Sequence, residues 1–480
     1  MSAAETVVER GPVSPEPSGS PVPQEPPVSP EPSVSPERPV PPQPTEPSVS
    51  PETTPTRRPL GRPFAAQLTS TGLANLGDGV LGTLAPLVAL TLTTSPAQIS
   101  LLQAAAWLPW LVLGIVAGAV VDRLDRRTVQ VVSLLVRATL LATGAWLAAT
   151  DRLSMTSLLV LVLVYGVTEV FADLGATAIV PALVPRDRLS AANGRILGVQ
   201  QVANAFVGAP LAGALLAIGA GVAFGTSAGL AALAAVVLAV GLRGRFRAEA
   251  TSTRTTAQPT SSPARALRAG LGQVREGLAF LLHHPVLRPL TITSAVLNMA
   301  STAYFAVFVL WAVGPGSPMG LTPQQFPLLT LGLAAGAVVG SLLAEKVQNR
   351  FGEMPTLVTT LTVNVLLLLV PLLWPSGWAV AGALTVVGFL NTIGNVVSMS
   401  LRQRISPSAM LGRIGGAGRT LSYGLMPVGA LVGGLVAERW GLPTTFVGAV
   451  VVSLVACGYV AARVRTSTVR DAERAHDERP

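Results

Sequence analysis

The stretch "GAVVDRLDRR" (Gly118–Arg127) concentrates charge directly after an apolar run. Five of its residues at positions 122–127 are ionisable, in a chain that is only 12% charged overall. The apolar run before it begins near Ile99 and is about 20 residues long, which is the length that crosses a bilayer. A charged loop after such a run is typical of a membrane-spanning helix that ends in water. The stretch therefore predicts a membrane protein.

Similar apolar runs recur along the chain, which is 50% hydrophobic with a mean hydropathy of +0.56. The runs are apolar all round, whereas a helix of a water-soluble protein would show a polar stripe at helical spacing. We therefore predict an all-α membrane protein with twelve transmembrane helices, six on each side of a polar interruption at about 243–286. The predicted helices cover residues 64–92, 97–121, 128–149, 155–183, 193–218, 220–242, 287–313, 324–345, 355–374, 378–400, 414–437 and 441–463.

The N-terminal segment differs from the rest of the chain. Positions 1–60 hold 18 of the 40 prolines, together with serine and glutamate and no apolar run. Such a composition is typical of disorder. We expect a disordered Pro-rich cytoplasmic tail over 1–62, a six-helix half over 63–243, a central loop with an amphipathic helix over 244–286, a second six-helix half over 287–465, and a cytoplasmic tail over 466–480.

The positions of the basic residues predict the orientation in the membrane. The loops on the N-terminal side of the membrane carry nineteen Lys and Arg residues, whereas those on the other side carry only Arg152 and Arg439. This asymmetry predicts that both termini are cytoplasmic in the cell inner (plasma) membrane. Five tryptophans lie at the predicted span ends that face away from the cytoplasm, as is typical of an interfacial belt: Trp146, Trp311, Trp374, Trp378 and Trp440. Because the arginines separate apolar spans and do not cluster on one domain, we expect no nucleic-acid partner.

Six plus six helices with a charged loop between spans two and three resemble the major facilitator superfamily, whose signature there is G-x-L-a-D-r-x-G-r-k/r. The chain matches the signature at Gly118, Asp122, Arg123, Arg126 and Arg127. Asp125 replaces the second glycine, and we expect the turn to survive because aspartate tolerates left-handed conformations. The resemblance implies a conformational latch in which Asp122 caps the start of span eleven, near Arg413. The alternative is that the charges of this loop only contribute to the excess of basic residues on one side of the membrane and form no latch.

Two further stretches narrow the resemblance: "IVPALVPRDRLSAANGR" before span five, and "SLRQRISPSAMLGRIGGAGRTLSYGLMPVGALVGGL" through spans ten and eleven. They are similar to a drug:proton antiporter branch that contains macrolide and enterobactin exporters. In span five, "VGAPLAGA" matches the antiporter motif G-x-x-x-G-P-x-x-G-G at Gly208, Pro210 and Gly213 but not at Ala209 and Ala214. We expect tight helix packing and a bend at Pro210.

Three acidic residues lie well within apolar spans: Asp78, Glu169 and Asp173. An ionised group at the bilayer centre costs roughly 2.5–3.5 kcal/mol on insertion scales, so such residues are rarely without a function. Arg137 lies at a similar depth, and one arginine cannot neutralise three carboxylates. We expect Asp78 or Glu169 to take up and release a coupling proton, while Arg137 pairs with the acid that is ionised. The alternative is a static bridge between Arg137 and Glu169, with Asp173 at the water interface.

The second half has no acidic residue inside its spans. It offers uncharged polar side chains, which we expect to contact substrate: Asn298, Tyr304, Asn391, Asn395 and Tyr423. Each asparagine is equally compatible with a helix-to-helix hydrogen bond. A mostly apolar cavity with a few hydrogen-bonding groups suits a bulky, amphiphilic or weakly cationic molecule.

The combined expectation is a proton-coupled exporter of a hydrophobic or amphiphilic small molecule that works by alternating access. Its partners would be that molecule, protons and the lipid bilayer, and we expect a monomer with no cofactor, no metal site and no enzymatic activity. Two alternatives remain open. One is an uptake permease or lysolipid flippase on the same fold, and the other is a non-transporting membrane sensor or scaffold.

Overall fold

The computed structural model describes residues 60–121, 123–246, 263–314, 316–407 and 410–477. These residues form helices and no strand, which confirms the prediction of an all-α protein. Most of the predicted tail over 1–62 lies outside the described residues. The same is true of Asp122 and of part of the central loop.

Twelve helices of the described chain are long and apolar enough to cross a membrane, as predicted. The first half contains span 1 (Arg62–Leu92), span 2 (Pro96–Val121), span 3 (Arg126–Ala149), span 4 (Met155–Leu183), span 5 (Leu189–Ile218) and span 6 (Ala220–Gly241). The second half contains span 7 (Leu287–Ala312), span 8 (Phe326–Phe351), span 9 (Glu353–Leu373), span 10 (Gly377–Ile405), span 11 (Leu411–Gly424 and Met426–Trp440) and span 12 (Leu442–Arg463).

Single glycines separate some consecutive spans. Gly352 lies between spans 8 and 9 with φ of 81°, and Gly441 lies between spans 11 and 12 with φ of 86°. Both angles fall in the left-handed region, which glycine enters without the steric cost that a Cβ imposes. One residue is therefore enough to reverse the chain at these two turns. We call the end of the bundle that carries the loop between spans 2 and 3 the basic end, and the other the opposite end.

Span 5 is irregular where the sequence predicted a bend. A π-helix over Val202–Gly208 separates its two α-helical parts, Leu189–Gln201 and Ala209–Ile218. The backbone N–H of Ala209 donates to the carbonyl of Asn204, five residues earlier. Pro210 follows directly and lacks an N–H, so it cannot contribute to a regular α-helical ladder there. A π-helix thus directly precedes Pro210, and the bend at Pro210 stays a prediction.

An amphipathic linker helix (Pro263–His283) precedes span 7, as the sequence predicted for the central loop. The C-terminal part of its apolar face packs on protein, whereas Leu271, nearer the start of the helix, is exposed. Leu281 is buried in a cluster of second-half residues, with Val274 and Leu278 packed against it. A Cβ at Gly277 would collide with the backbone of Arg413, so the helix sits closely against the start of span 11. A further short helix (Thr466–Asp477) follows span 12.

The two halves contact each other at the opposite end. Gly434 of span 11 lies against Ser100 of span 2, and Gly213 of span 5 lies against Pro327 of span 8. The carboxylate of Glu438 accepts hydrogen bonds from Ser95 Oγ at 2.9 Å and from the backbone N–H of Ala97 at 3.2 Å. A carboxylate at this position is stabilised by the positive end of the span 2 helix dipole.

Most of the predicted tryptophan belt lies exposed, namely Trp146, Trp374, Trp378 and Trp440. Trp311 differs, because it is partly buried and its indole N–H donates to the carbonyl of Pro371 at 3.0 Å. That tryptophan therefore joins spans 7 and 9 in the protein interior.

Small residues bring spans 8 and 10 together. Gly332, Gly336 and Gly340 recur every fourth residue and so share one face of span 8. A Cβ at Gly336 would overlap the carbonyl oxygen of Thr385, and one at Gly340 would lie 2.6 Å from the carbonyl of Phe389. Such spacing of small residues lets the backbones of membrane helices approach closely, where van der Waals contact replaces the hydrophobic effect.

We therefore expect Gly336→Ala to lower the thermal unfolding temperature of the purified protein in detergent, because overpacking a close contact costs about 1–3 kcal/mol. The matched control is Gly229→Ala, since Gly229 is exposed on span 6 and an added Cβ there meets no atom within 4 Å. Equal unfolding temperatures for the two variants would contradict the packing described here.

Candidate functional site

A buried ion pair lies in the middle of the first half. Asp78 of span 1 accepts a hydrogen bond from Arg137 Nη1 at 2.8 Å, and only 3% of the Arg137 side chain is exposed. Arg137 Nε donates to Thr168 Oγ1 at 3.2 Å, which satisfies a second group of the guanidinium. The alternative of a static bridge between Arg137 and Glu169 is not what the structure shows, because Asp78 is the carboxylate paired with Arg137.

Tyr165 completes this network and was not singled out from the sequence. Its hydroxyl donates to the same oxygen of Asp78 that accepts from Arg137, and the Arg137 guanidinium lies over the Tyr165 ring, 4.6 Å from its centre. Tyr165, Glu169 and Asp173 follow one another at intervals of four residues, so they share one face of span 4. That spacing is the signal in the sequence that would have found Tyr165.

A small polar cavity brings all four predicted charged residues together. Its volume is about 80 Å³, and Asp78, Arg137, Glu169 and Asp173 line it. Ser70, Thr71, Asn75, Gln130 and Gln200 complete its polar lining. Asp173 lies one turn beyond Glu169 toward the basic end, so the cavity extends from mid-span toward that end.

A larger cavity of about 390 Å³ lies between the two halves. Residues of spans 1, 2, 4 and 5 line one side of it, and residues of spans 7 and 8 line the other. The lining is rich in aromatic side chains, including Trp107, Trp110, Tyr165, Phe305, Phe308 and Phe326. Asp78 and Glu169 line this cavity as well as the small polar one. The two carboxyl groups therefore stand between a polar compartment and an aromatic one.

The predicted substrate contacts of the second half separate into three groups. Asn298, Asn391 and Asn395 line a third cavity of about 150 Å³, which we call the asparagine cavity. Tyr423 is exposed beside Trp107, with ring centres 5.7 Å apart, at the edge of the large cavity. The expectation for Tyr304 was wrong, because it is 1% exposed in an aromatic cluster and its hydroxyl donates to the carbonyl of Leu368 at 2.9 Å.

The asparagine cavity occupies the position in the second half that the small polar cavity occupies in the first. Glu169 is as far along the chain from the start of span 4 as Asn391 is from the start of span 10. Asp173 and Asn395 correspond in the same way, one turn further along each span. Arg137 and Asn364 are likewise equally far from the starts of spans 3 and 9. Corresponding positions are thus charged in the first half and uncharged in the second.

The three motif residues of span 5 make different contacts. Gly208 lies against Gly79 and Leu76 of span 1. Gly79 directly follows Asp78 in the sequence. Gly213 instead faces span 8 of the other half, near Pro327. Pro210 lies between them, just after the π-helix. Span 5 therefore connects the neighbourhood of Asp78 to the contact between the halves.

The residues of the predicted latch are held mainly within the first half. Arg126 Nη1 donates to the carbonyl of Ala178 at 2.9 Å, and Arg127 Nη2 donates to that of Ala239 at 2.6 Å. Arg123 is exposed, and Asp122 lies outside the described residues. Arg413 pairs with Glu276 of the linker helix at 2.9 Å. The signature glycine Gly118 makes no close helix contact among the described residues, since an added Cβ there would meet no described atom within 4 Å.

Asp125 keeps the loop in place for a different reason from the one expected. Its φ is −71°, so no left-handed turn is needed. Its carboxylate accepts hydrogen bonds from Thr128 Oγ1 at 2.8 Å and from the backbone N–H of Phe246 at 2.7 Å. Burial acts to raise the pKa of the Asp125 carboxyl, but these hydrogen bonds outweigh it and hold the pKa below its usual value. The aspartate therefore ties the loop to the segment after span 6.

No group of His, Cys, Asp or Glu side chains in the described ranges is arranged to hold a metal ion. The side chains that line the site present carboxyl groups, a guanidinium, hydroxyls and aromatic rings. These groups can exchange a proton, pair with a cation and stack on an apolar molecule.

We expect Asp78→Asn and Arg137→Gln each to lower the thermal unfolding temperature, since breaking a buried ion pair on one side costs roughly 3–5 kcal/mol. The double variant should lose less than the sum of the two, because it leaves no unpaired charge. Thermal unfolding in detergent at neutral pH measures all three, with Asp187→Asn in the exposed loop between spans 4 and 5 as the control. Strict additivity of the two losses would mean that the pair is not coupled.

Comparisons with known proteins show the family of this chain. The sequence matches the profile of the Major Facilitator Superfamily over residues 68–427. It is 29% identical over 364 residues to the enterobactin exporter EntS of Citrobacter koseri, covering 74% of this chain and 81% of the relative. It is 26% identical over 401 residues to the multidrug efflux pump Tap of Mycolicibacterium fortuitum, covering 82% of this chain and 93% of the relative.

Solved structures share the fold. The nucleoside transporter NupG superposes with a TM-score of 0.63 at 14% identity, over 84% of this chain and 98% of that one. A bacterial homologue of the human lysosomal transporter Spinster, in an inward-facing and unoccupied conformation, superposes with a TM-score of 0.61 at 17% identity, over 86% of this chain and 98% of that one. The twelve apolar helices and the profile match together identify the chain as a multi-pass membrane transporter that belongs to the major facilitator superfamily.

Proposed function

We propose that this transporter exports an amphiphilic small molecule by alternating access, driven by protons that move inward. The observation that carries the proposal is that Asp78 and Glu169 line both the small polar cavity and the large aromatic one. A proton that arrives through the polar cavity and a substrate in the aromatic cavity would act on the same two carboxyl groups. Competition for one site is the simplest way to make proton entry depend on substrate exit.

The ion pair supports the proton-binding role. Arg137 can neutralise one carboxylate, and Asp78 takes it in this structure. Glu169 lines the same small polar cavity as this pair and is not the carboxylate bonded to Arg137. Protonation of Asp78 would release Arg137 to pair with Glu169. The single arginine would then exchange partners as the proton is gained and lost.

The lining of the large cavity supports a substrate that is apolar and carries a weak positive charge. Tryptophan and phenylalanine rings offer stacking surfaces and attract cations through their faces. A carboxylate at the wall would complete the recognition of such a cation. EntS is named as an exporter of enterobactin and Tap as a multidrug efflux pump, and their similarity to this chain supports the outward direction.

The contacts between the halves support alternating access. Spans 2 and 11 and spans 5 and 8 meet at the opposite end. The small polar cavity extends from Asp78 and Glu169 toward the basic end. We place the basic end in the cytoplasm because of its excess of arginine, so this conformation would be open toward the cytoplasm. Export would then require the contacts at Glu438 and Gly213 to separate.

The decisive experiment measures substrate movement in vesicles with the purified protein in one orientation. A panel of macrolides, dyes and siderophores is first screened for reduced accumulation in a pump-deficient host, with and without a protonophore. For a substrate found in this way, we expect Glu169→Gln to abolish transport driven by a pH gradient while exchange of labelled for unlabelled substrate continues. Asp187→Asn serves as the control and should retain both activities.

Each contrary result has a distinct meaning. Full pH-driven transport in both Asp78→Asn and Glu169→Gln would refute proton coupling through these acids. Flux only in the inward direction would favour an uptake permease or a flippase. A sensor or scaffold predicts no substrate-dependent proton flux, together with loss of function when residues 1–60 are deleted.

We also expect Glu438→Gln to increase the opening of the opposite end. The substitution removes the charge that the span 2 dipole stabilises, an effect worth about 0.3–1 kcal/mol or roughly a two- to fivefold change in population. Ser100→Cys, placed in a Cys457→Ala background, reports the opening because Ser100 is 1% exposed between spans 2 and 11. The rate of its alkylation by a membrane-impermeant maleimide should rise by that factor. Glu345→Gln, an exposed glutamate near the basic end of span 8, should leave the rate unchanged.

A further inference from the structure

Arg402 lies in an unexpected place. It is one of the nineteen basic residues that the sequence pattern places in loops at the basic end. The structure places it within the last turn of span 10. Its Nη2 donates to Ser294 Oγ at 2.8 Å and to the carbonyl of Leu290 at 3.3 Å, both on span 7. Its Nε is buried and has no hydrogen-bond partner among the residues that the structure describes. The guanidinium is therefore fixed in position with part of its donor capacity unused.

The cavity that Arg402 lines combines polar side chains with the apolar side chains of Val396 and Met399. Arg402 lines this open cavity of about 460 Å³ together with the hydroxyls of Ser294, Ser398 and Ser400 and the amide of Asn395. Ser294, Asn395 and Ser398 also line the asparagine cavity, so the two spaces adjoin. None of the described residues that line either space is acidic.

An acidic residue at the same end of the bundle, Glu353, has other partners. Glu353, at the start of span 9, pairs with Arg404 and accepts a hydrogen bond from Gln348. Within the described chain, Arg402 instead donates to two neutral acceptors, the hydroxyl of Ser294 and the carbonyl of Leu290. A mostly buried cation in such a setting lacks the counter-charge that would offset its desolvation.

We propose that Arg402 and the hydroxyls around it form a binding site for an oxyanion, such as a carboxylate or a phosphate group. A guanidinium presents a planar set of donors that matches the two oxygens of such a group, and adjacent hydroxyls can donate to the same oxygens. The proposal concerns binding alone and stands independently of proton coupling or of the direction of transport.

The test is thermal unfolding of the purified full-length protein in neutral detergent at constant ionic strength. We expect inorganic phosphate at tens of millimolar to raise the unfolding temperature by about 1–3 °C, because a ligand that binds only the folded state stabilises it. The rise should disappear in Arg402→Gln and persist in Arg404→Gln, an exposed arginine two residues away that pairs with Glu353.

A second variant keeps the test valid if Arg402→Gln does not fold. The double variant Ser398→Ala/Ser400→Ala leaves the bonds from Arg402 to span 7 intact and should shift the phosphate titration to about tenfold higher concentrations. A parallel arm replaces phosphate with phosphatidylglycerol in the detergent micelles. A rise that depends on Arg402 in either arm supports the site and identifies its source as a free anion or a lipid headgroup. No rise in both arms, or an equal rise in Arg402→Gln, would overturn the proposal.

Discussion

The pairing of Asp78 with Arg137 is the constraint on which the first half depends. Both groups lie in the middle of helices that cross the membrane, where an isolated charge costs several kcal/mol. The pair therefore fixes how spans 1 and 3 face each other. Thr168 and Tyr165 of span 4 complete the hydrogen bonds and bring a third helix into register. These bonds hold spans 1, 3 and 4 in fixed rotation about their axes. The small polar cavity and the large aromatic cavity therefore both reach the carboxyl group of Asp78.

The second half shows what the scaffold looks like without that constraint. Asn364, Asn391 and Asn395 stand where the first half has Arg137, Glu169 and Asp173. Amides can bond to each other, as Asn395 does to Asn391 at 2.8 Å, without a permanent charge. Close glycine contacts between spans 8 and 10 supply the packing. The two halves thus share a framework but differ in electrostatics, which suits a transporter whose coupling ion and substrate need different surroundings.

Much of the fold was predictable because a bilayer imposes simple rules on sequence. Apolar runs of sufficient length located the twelve spans, and the scarcity of acids inside them located Asp78, Glu169 and Asp173. The partner of Arg137 was not predictable, since spacing along a helix does not determine how neighbouring helices are rotated. For the same reason Tyr304 was expected at a cavity and lies instead in an aromatic cluster.

Local sequence patterns gave wrong expectations for charged residues whose positions depend on tertiary contacts. Arg402 was counted with the loops because it lies near a helix end, although its bonds to span 7 hold it inside the protein. Asp125 was interpreted through its backbone preferences, whereas its carboxylate bonds to a segment 121 residues away. The pattern of the linker helix does not distinguish lipid from a protein surface as the partner of its apolar face.

The π-helix of span 5 has a consequence for how the chain tolerates length changes. Each residue of a helix advances the side-chain direction by about 100°. Because the π-helix accommodates one extra residue, deleting one residue between Val202 and Gly208 would restore a regular α-helix and keep the direction of the residues beyond it. Rewinding the same residues as an α-helix without a deletion would instead turn everything beyond them by about that angle. Gly213 would then point away from Pro327, and a bulkier neighbour would enter the junction between the halves. A homologous protein with an α-helix of the same number of residues here would thus need the small residue equivalent to Gly213 at a shifted position to keep the contact between the halves.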